Sequence, residues 1–224
     1  MFKLALVTGA TSGIGLALSE LLAKKGIPLI LTGRDQKKLE ELSQRLKAKV
    51  FSANLDQPEG VILAVAHIRQ HKPDLVINNA GLGFYGEAIS IPASDQDLMI
   101  DVNVKALTVL TLAAAESMVK NKQKGTILNV SSVAPYFPSP GYATYSATKA
   151  YVNSFSESMD YELMPQNVRV LTACPGSVQT QFSSRASKGK QEGSKDDAIK
   201  LSAEETAEEM WTQIEKGQQT KIIN

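Results

Sequence analysis

Short apolar runs alternate with longer stretches of helical period from one end of the chain to the other. Runs rich in Val, Ile, Leu and Ala at Lys3–Thr8, Pro28–Thr32, Lys49–Ala53, Asp74–Asn78, Gly125–Val130, Val168–Ala173 and Thr220–Ile223 read as seven strands. Between them, apolar residues recur at helical spacing, as in Ile14, Leu18, Leu21 and Leu22, and Lys24, Lys25 and Gly26 close that helix. Further helices are expected over Val61–Arg69, Gln96–Val119, Tyr145–Leu163 and Ala203–Lys216. Such alternation predicts an α/β fold with a mostly parallel sheet, doubly wound and covered by helices on both faces. One stretch breaks the pattern. From Ser183 to Lys200 the chain is rich in Ser, Lys, Gly, Gln and Asp and nearly lacks large apolar groups. It reads either as a mobile substrate lid, over about 181–200, or as a surface excursion.

Length and composition narrow the class. At 224 residues the chain is long enough for one α/β domain, taken as 1–224, and too short for two plus a linker. It is 43% hydrophobic and 21% charged, as in a soluble protein, and no apolar run is expected to approach the ~20 residues of a membrane helix. A net charge of +1 gives no electrostatic case for nucleic acid or an anionic membrane. One cysteine excludes an internal disulfide, and two histidines leave no expected metal site. His67 and His71, spaced i, i+4, therefore read as a packing pair, and Cys174 as a small buried residue. The expected setting is cytoplasmic.

The first strand runs into Thr8-Gly9-Ala10-Thr11-Ser12-Gly13-Ile14-Gly15 and then directly into a helix. Glycines permit the tight turn and let backbone amides approach a pyrophosphate, whose charge the helix N-terminus favours. Between a strand and an amphipathic helix such a glycine trio is a strong dinucleotide signal. The second strand runs out as Leu31-Thr32-Gly33-Arg34-Asp35, with Gly33 where an acid would hold an NAD ribose. Arg34 suits a 2′-phosphate instead, so NADP(H) is the expected cofactor over NAD(H). Asp35 reads as a helix N-cap.

Tyr145 and Lys149 sit four apart, on one face of a predicted helix, with Ser132 thirteen residues upstream of the tyrosine. A nearby ammonium is expected to lower a phenol pKa that starts near ~10, so that the tyrosine can exchange a proton with an alcohol or carbonyl. Chance alone supplies roughly half of one such pair in a chain of this composition, so the pair depends on its context.

That context resembles the short-chain dehydrogenase/reductase family. Its motifs occur in family order: Thr8-Gly9…Gly13-Ile14-Gly15, Asn78-Asn79-Ala80-Gly81, Asn103, Ser132, Tyr145…Lys149, and Pro175-Gly176…Thr180. The resemblance covers essentially the whole chain and implies a single-domain Rossmann-type fold and a hydride-transferring oxidoreductase acting on a small carbonyl or alcohol substrate. It implies a catalytic set of Asn103, Ser132, Tyr145 and Lys149, with Asn103 positioning a water in a proton relay. It implies cofactor contacts from Gly9, Thr11, Ser12, Gly13, Ile14 and Gly15. Further contacts fall to Arg34, Asn54 and Leu55, to Asn79, Ala80 and Gly81, and to Tyr145 and Lys149. Pro175, Gly176, Val178 and Thr180 would lie at the nicotinamide. Relatives often carry Asp where this chain has Asn54, at the adenine. They commonly pair through the helices matching Gln96–Val119 and Tyr145–Leu163, so a homodimer or homotetramer is expected. Substrate-lining segments are expected at Leu82–Tyr85, Val133–Tyr142 and beyond Thr180, where Tyr85, Tyr136, Phe137 and Phe182 point to an apolar or aromatic substrate. The alternatives are a non-catalytic NADP(H)-binding regulator, a scaffold, and a sugar-nucleotide epimerase or dehydratase; the glycine spacing and the short C-terminal region argue against the last.

Overall fold

The seven predicted strands pair into one parallel sheet of order β3-β2-β1-β4-β5-β6-β7. The computed structural model describes residues 2–187 and 201–224. The strands are β1 (Ala5–Thr8), β2 (Leu29–Gly33), β3 (Lys49–Ser52), β4 (Leu75–Asn78), β5 (Gly125–Val130), β6 (Val168–Pro175) and β7 (Thr220–Ile223). The helices are α1 (Gly13–Lys24), α2 (Gln36–Leu46), α3 (Pro58–His71), α4 (Ala93–Ile100), α5 (Leu107–Lys120), α6 (Ala143–Leu163), α7 (Phe182–Ala186) and α8 (Ala203–Lys216).

Alternation within the strands divides the core into two layers. Ala5 and Val7 of β1 pack with α1, α2 and α8 on one face, while Leu6 packs with α3, α5 and α6 on the other. The central strands are buried along their length, as parallel strands covered on both sides should be. Strand order reverses between β1 and β4, which leaves a crevice at their carboxyl ends, where α/β sheets take ligands.

Local chemistry sets the helix boundaries. Asp35 caps α2 by accepting from the Lys38 amide, and Ser202 and Glu205 form a reciprocal capping box on α8. The helix expected over Gln96–Val119 is continuous from Ala93 to Lys120, but Asp101–Ala106 is wound as a π segment. Such segments widen a helix locally and recur at functional sites. This run is long and apolar enough to cross a membrane by length and composition, contrary to expectation; 56% of its most apolar window is buried in the core. Val109 and Leu112 of α5 and Tyr151 of α6 leave apolar surface on the two helices expected to pair.

Beneath the crevice a buried polar network ties four elements together. The Asn78 amide on β4 donates to Thr111 on α5 (3.1 Å) and to the Asn129 carbonyl oxygen on β5 (2.9 Å). Thr111 also donates to that oxygen (3.1 Å), and the Asn129 amide donates to Ser156 on α6 (2.9 Å). All four side chains are buried. Replacing Asn129 with Leu should leave neighbouring polar groups unpaired and cost about 2–4 kcal/mol. For a chain of this size that lowers Tm by roughly 4–16 °C. Thermal denaturation followed by circular dichroism measures this, and an unchanged Tm would show that the network adds no stability.

Candidate active site

A cleft of about 1130 Å³ opens over the switch point and is lined by segments from both halves of the sheet. It exceeds the ~1,000 Å³ upper range of pockets for drug-sized ligands.

Its floor is the turn between β1 and α1. Gly9 and Gly13 have φ of 65° and 55°, and a Cβ on Gly9 would lie 2.9 Å from Asn79 Nδ2 and 3.0 Å from Ala80 Cα. Thr8 stitches this turn to the end of β4. Its hydroxyl accepts from the Asn79 and Ala80 amides at 3.0 Å each, while the Asn79 side chain donates to the Thr8 carbonyl at 3.0 Å. Thr11, Ser12, Gly13 and Ile14 line the cleft here, at the start of α1. A helix N-terminus and glycines that leave room for backbone approach fit a pyrophosphate. Gly15 is placed differently. It lies behind the cleft wall, where a Cβ would run into the Gly9 carbonyl and Asn79, so it serves the packing of α1 on β1.

At the end of β2, Gly33, Arg34, Asp35 and Lys38 line the cleft together. A Cβ on Gly33 would sit 2.9 Å from the Thr11 methyl, so a side chain at position 33 would require Thr11 to shift. Lys38 was not among the expected residues, although its place in the first turn of a helix capped by Asp35 would have indicated it. Asn54 and Leu55 line the same end, and Gly60 lets α3 pack directly on the Asn54 backbone.

Across the sheet, Ser132 follows β5, and Tyr145 and Lys149 lie on α6. The Tyr145 and Ser132 hydroxyls face one another closely enough for the serine to pull the phenol pKa down. The Ser132 oxygen also accepts from the Ala134 amide at 3.1 Å. Lys149 is buried, its Nζ donates to the Val130 carbonyl at 2.8 Å, and it lies 5.8 Å from the centre of the Tyr145 ring. Ser131, one residue from the expected serine, donates to the Lys149 carbonyl at 3.1 Å and so ties α6 to the end of β5.

The phenol differs from its expected state. Burial pushes the Tyr145 pKa up to about 12, against the opposing pull of Ser132. Burial also lowers Lys149 to about 8. Both shifts have one main cause: desolvation disfavours whichever form carries charge.

Asn103 does not reach the cleft wall. It is fully buried in the π segment, where it accepts from the Leu82 amide (2.9 Å) and donates to the Leu82 carbonyl (2.8 Å) and to Thr148 (3.1 Å). Thr148 in turn donates to the Tyr145 carbonyl at 2.7 Å. Asn103 thus fixes the loop after β4 relative to α6.

Ala80, Gly81, Pro175, Gly176, Val178 and Thr180 line the remaining wall, and a Cβ on Gly13 would lie 3.2 Å from Thr180. Beyond Tyr145 the wall is made by Leu82, Tyr85, Val133, Phe137, Tyr142 and Phe182. Tyr136 is not part of it; its hydroxyl lies 3.6 Å from the buried Cys174 sulfur. Of the expected lid, α7 is described, and its Ala186 carbonyl accepts from the Tyr85 amide at 2.9 Å. The remainder, 188–200, lies outside the described residues. His67 stacks on Phe51 with ring centres 3.9 Å apart, and no group of three metal-ligating side chains occurs among the described residues.

A sequence profile for the family described as short chain dehydrogenase matches residues 3–191. Sulfoacetaldehyde reductase 2 of Chromohalobacter salexigens is 35% identical over 224 aligned positions, covering 93% of this chain and 86% of that protein. The NADP-dependent 3-hydroxy acid dehydrogenase YdfG of Escherichia coli is 34% identical over 215 positions, covering 92% and 86%. Among solved structures, a short-chain dehydrogenase from Sphingobium yanoikuyae in complex with NADPH superposes with a TM-score of 0.91. Its identity is 28%, over 98% of this chain and 87% of that one. The closed form of a serine dehydrogenase complexed with NADP+ gives 0.88 at 30% identity, over 98% and 93%.

Burial of Lys149 has a consequence for stability in the cofactor-free protein. Its pKa is about 8 when folded and near ~10.5 when unfolded, so between these values the unfolded chain binds more protons. The contribution of Lys149 is therefore fully present above the unfolded value and is lost as pH falls toward 8. Lys149→Met should raise Tm relative to wild type at pH 7, and the gap should close as pH climbs from about 8 to 10.5. Paired melting curves across that range measure it; a gap independent of pH would count against a strained ammonium.

Proposed function

We propose that this chain, which belongs to the short-chain dehydrogenase/reductase family and is an oxidoreductase with a nicotinamide cofactor, prefers NADP(H) and uses Tyr145 as general acid/base on a carbonyl or alcohol. The observation that carries the reading is the meeting of Ser132, Tyr145 and the buried Lys149 in the same cleft as the glycine cradle.

The residues divide the work as follows. Gly9 to Ile14 would hold the pyrophosphate, and Asn54 and Leu55 the adenine. Arg34 would take a 2′-phosphate, for which the supporting observation is that Arg34 and Lys38 line the cleft where Gly33 stands in place of an NAD-selective acid. When bound, the nicotinamide supplies or accepts the hydride. Ser132 donates to the carbonyl oxygen and holds it at the phenol, where negative charge develops. Tyr145 gives its proton to that oxygen. The raised phenol pKa keeps Tyr145 in the acid form that reduction requires, and the phenol remains a far stronger acid than the alcohol formed. Lys149, still largely protonated near neutral pH, stabilises the phenolate left behind. Asn103 acts as a positioning residue, through Thr148 and the Leu82 backbone.

Tyr145→Phe should lower kcat by about 10²–10⁴ while leaving the Kd for NADPH nearly unchanged. Fluorescence titration and a turnover assay over a carbonyl panel separate the two quantities, and near-normal turnover would refute the assignment. A charge-assisted phosphate contact is worth about 1.5–3 kcal/mol, so Arg34→Glu should raise KM for NADPH roughly 10- to 100-fold with little effect on NADH. An unaltered cofactor preference would sink the role of Arg34.

A further inference from the structure

The wall of the cleft beyond Tyr145 differs sharply in chemistry from the cofactor end. Tyr85, Tyr142, Tyr145 and Phe182 form a chain of rings with successive centres 5.0, 5.8 and 5.6 Å apart and interplanar angles of 52°, 59° and 51°. These separations and tilts are the ones aromatic pairs favour. Leu82, Val133 and Phe137 extend the apolar surface, and Ser139 and Gln181 are uncharged.

The aromatic chain is fixed in place by backbone contacts. The Tyr85 amide donates to Ala186 on α7, and the Gly86 amide donates to the Gly141 carbonyl at 3.0 Å. Gly141 has φ of 84°, and a Cβ there would run into the Tyr85 ring. A Cβ on Gly83 would lie 2.7 Å from the tip of Phe182. Two glycines thus let Tyr85 and Phe182 close on the rings between them.

We infer that the substrate is a carbonyl compound, or the matching alcohol, bearing a flat aryl group that packs on Tyr85, Tyr142 and Phe182 while its oxygen meets Ser132 and Tyr145. This rests on the hydride-transfer reading above and adds the class of molecule. An aryl ring meets tilted aromatic partners at contact distance.

A pair of ketones tests the ring. With NADPH and the full chain, kcat/KM for acetophenone should exceed that for 2-octanone about 10-fold, and Tyr85→Leu and Phe182→Leu should erode that preference through KM. NADPH affinity, measured by fluorescence, should stay unchanged in both variants and report an intact fold. An aryl preference that is absent, or that survives in both variants, would overturn the inference. If no carbonyl of any class oxidises NADPH, or if Tyr145→Phe keeps its rate, the hydride-transfer reading itself falls. Tyr145-dependent turnover with no aryl preference removes only the inference drawn here.

Discussion

Asn129 is the joint on which the arrangement turns. Its carbonyl oxygen accepts from Asn78 on β4 and Thr111 on α5, and its amide donates to Ser156 on α6, all away from solvent. In so low a dielectric such a network is rigid, because moving any of these bonded groups leaves a polar group bare. β4 delivers Asn79–Gly81 to the cleft, β5 delivers Ser131 and Ser132, and α6 delivers Tyr145 and Lys149. One side chain therefore holds in register the three elements that carry the proposed chemistry. Above it, Thr8 and Asn79 join β1 to β4, and Ser131 joins β5 to α6, so the scaffold is stitched at successive levels up to the crevice.

Burial places opposite demands on the two titrating groups. Tyr145 is held as a neutral phenol, whereas Lys149 is easier to deprotonate than in water. Spacing alone suggested that the ammonium would lower the phenol pKa. The structure gives the reverse sign, since desolvation dominates and the opposing pull comes from Ser132. A protonated phenol suits proton donation, so the sign matters more for the direction of the reaction than for its identity.

Most of the fold was legible because its signals are local. Strand runs such as Gly125–Val130 and Thr220–Ile223 and the helix Ala203–Lys216 stand as the periodicity placed them, and Asp35 caps α2 as read. The glycine turn was legible because φ near 60° and close backbone approach select residue type directly. What escaped depends on contacts between segments distant in sequence. Nothing near Asn103 in sequence indicates that, from the π segment Asp101–Ala106, it bonds the Leu82 backbone and Thr148. Gly15 resembles a phosphate glycine in sequence, and only its approach to Gly9 and Asn79 shows a packing role. Tyr136 and Tyr142 both flank the site in sequence, yet one turns toward Cys174 and the other into the aromatic chain.

The Asn129 joint also bears on how such a chain can drift. Both ends of its amide are committed, so a change there would have to be matched by changes at Asn78, Thr111 and Ser156 together. Tyr85, by contrast, sits on a loop held by its amide's bond to the Ala186 carbonyl, and Phe182 opens α7 with its amide on the Thr180 hydroxyl, contacts of the amide that any side chain would preserve. Mutation can therefore exchange the ligand-facing wall one residue at a time, while the frame beneath it changes only as a set.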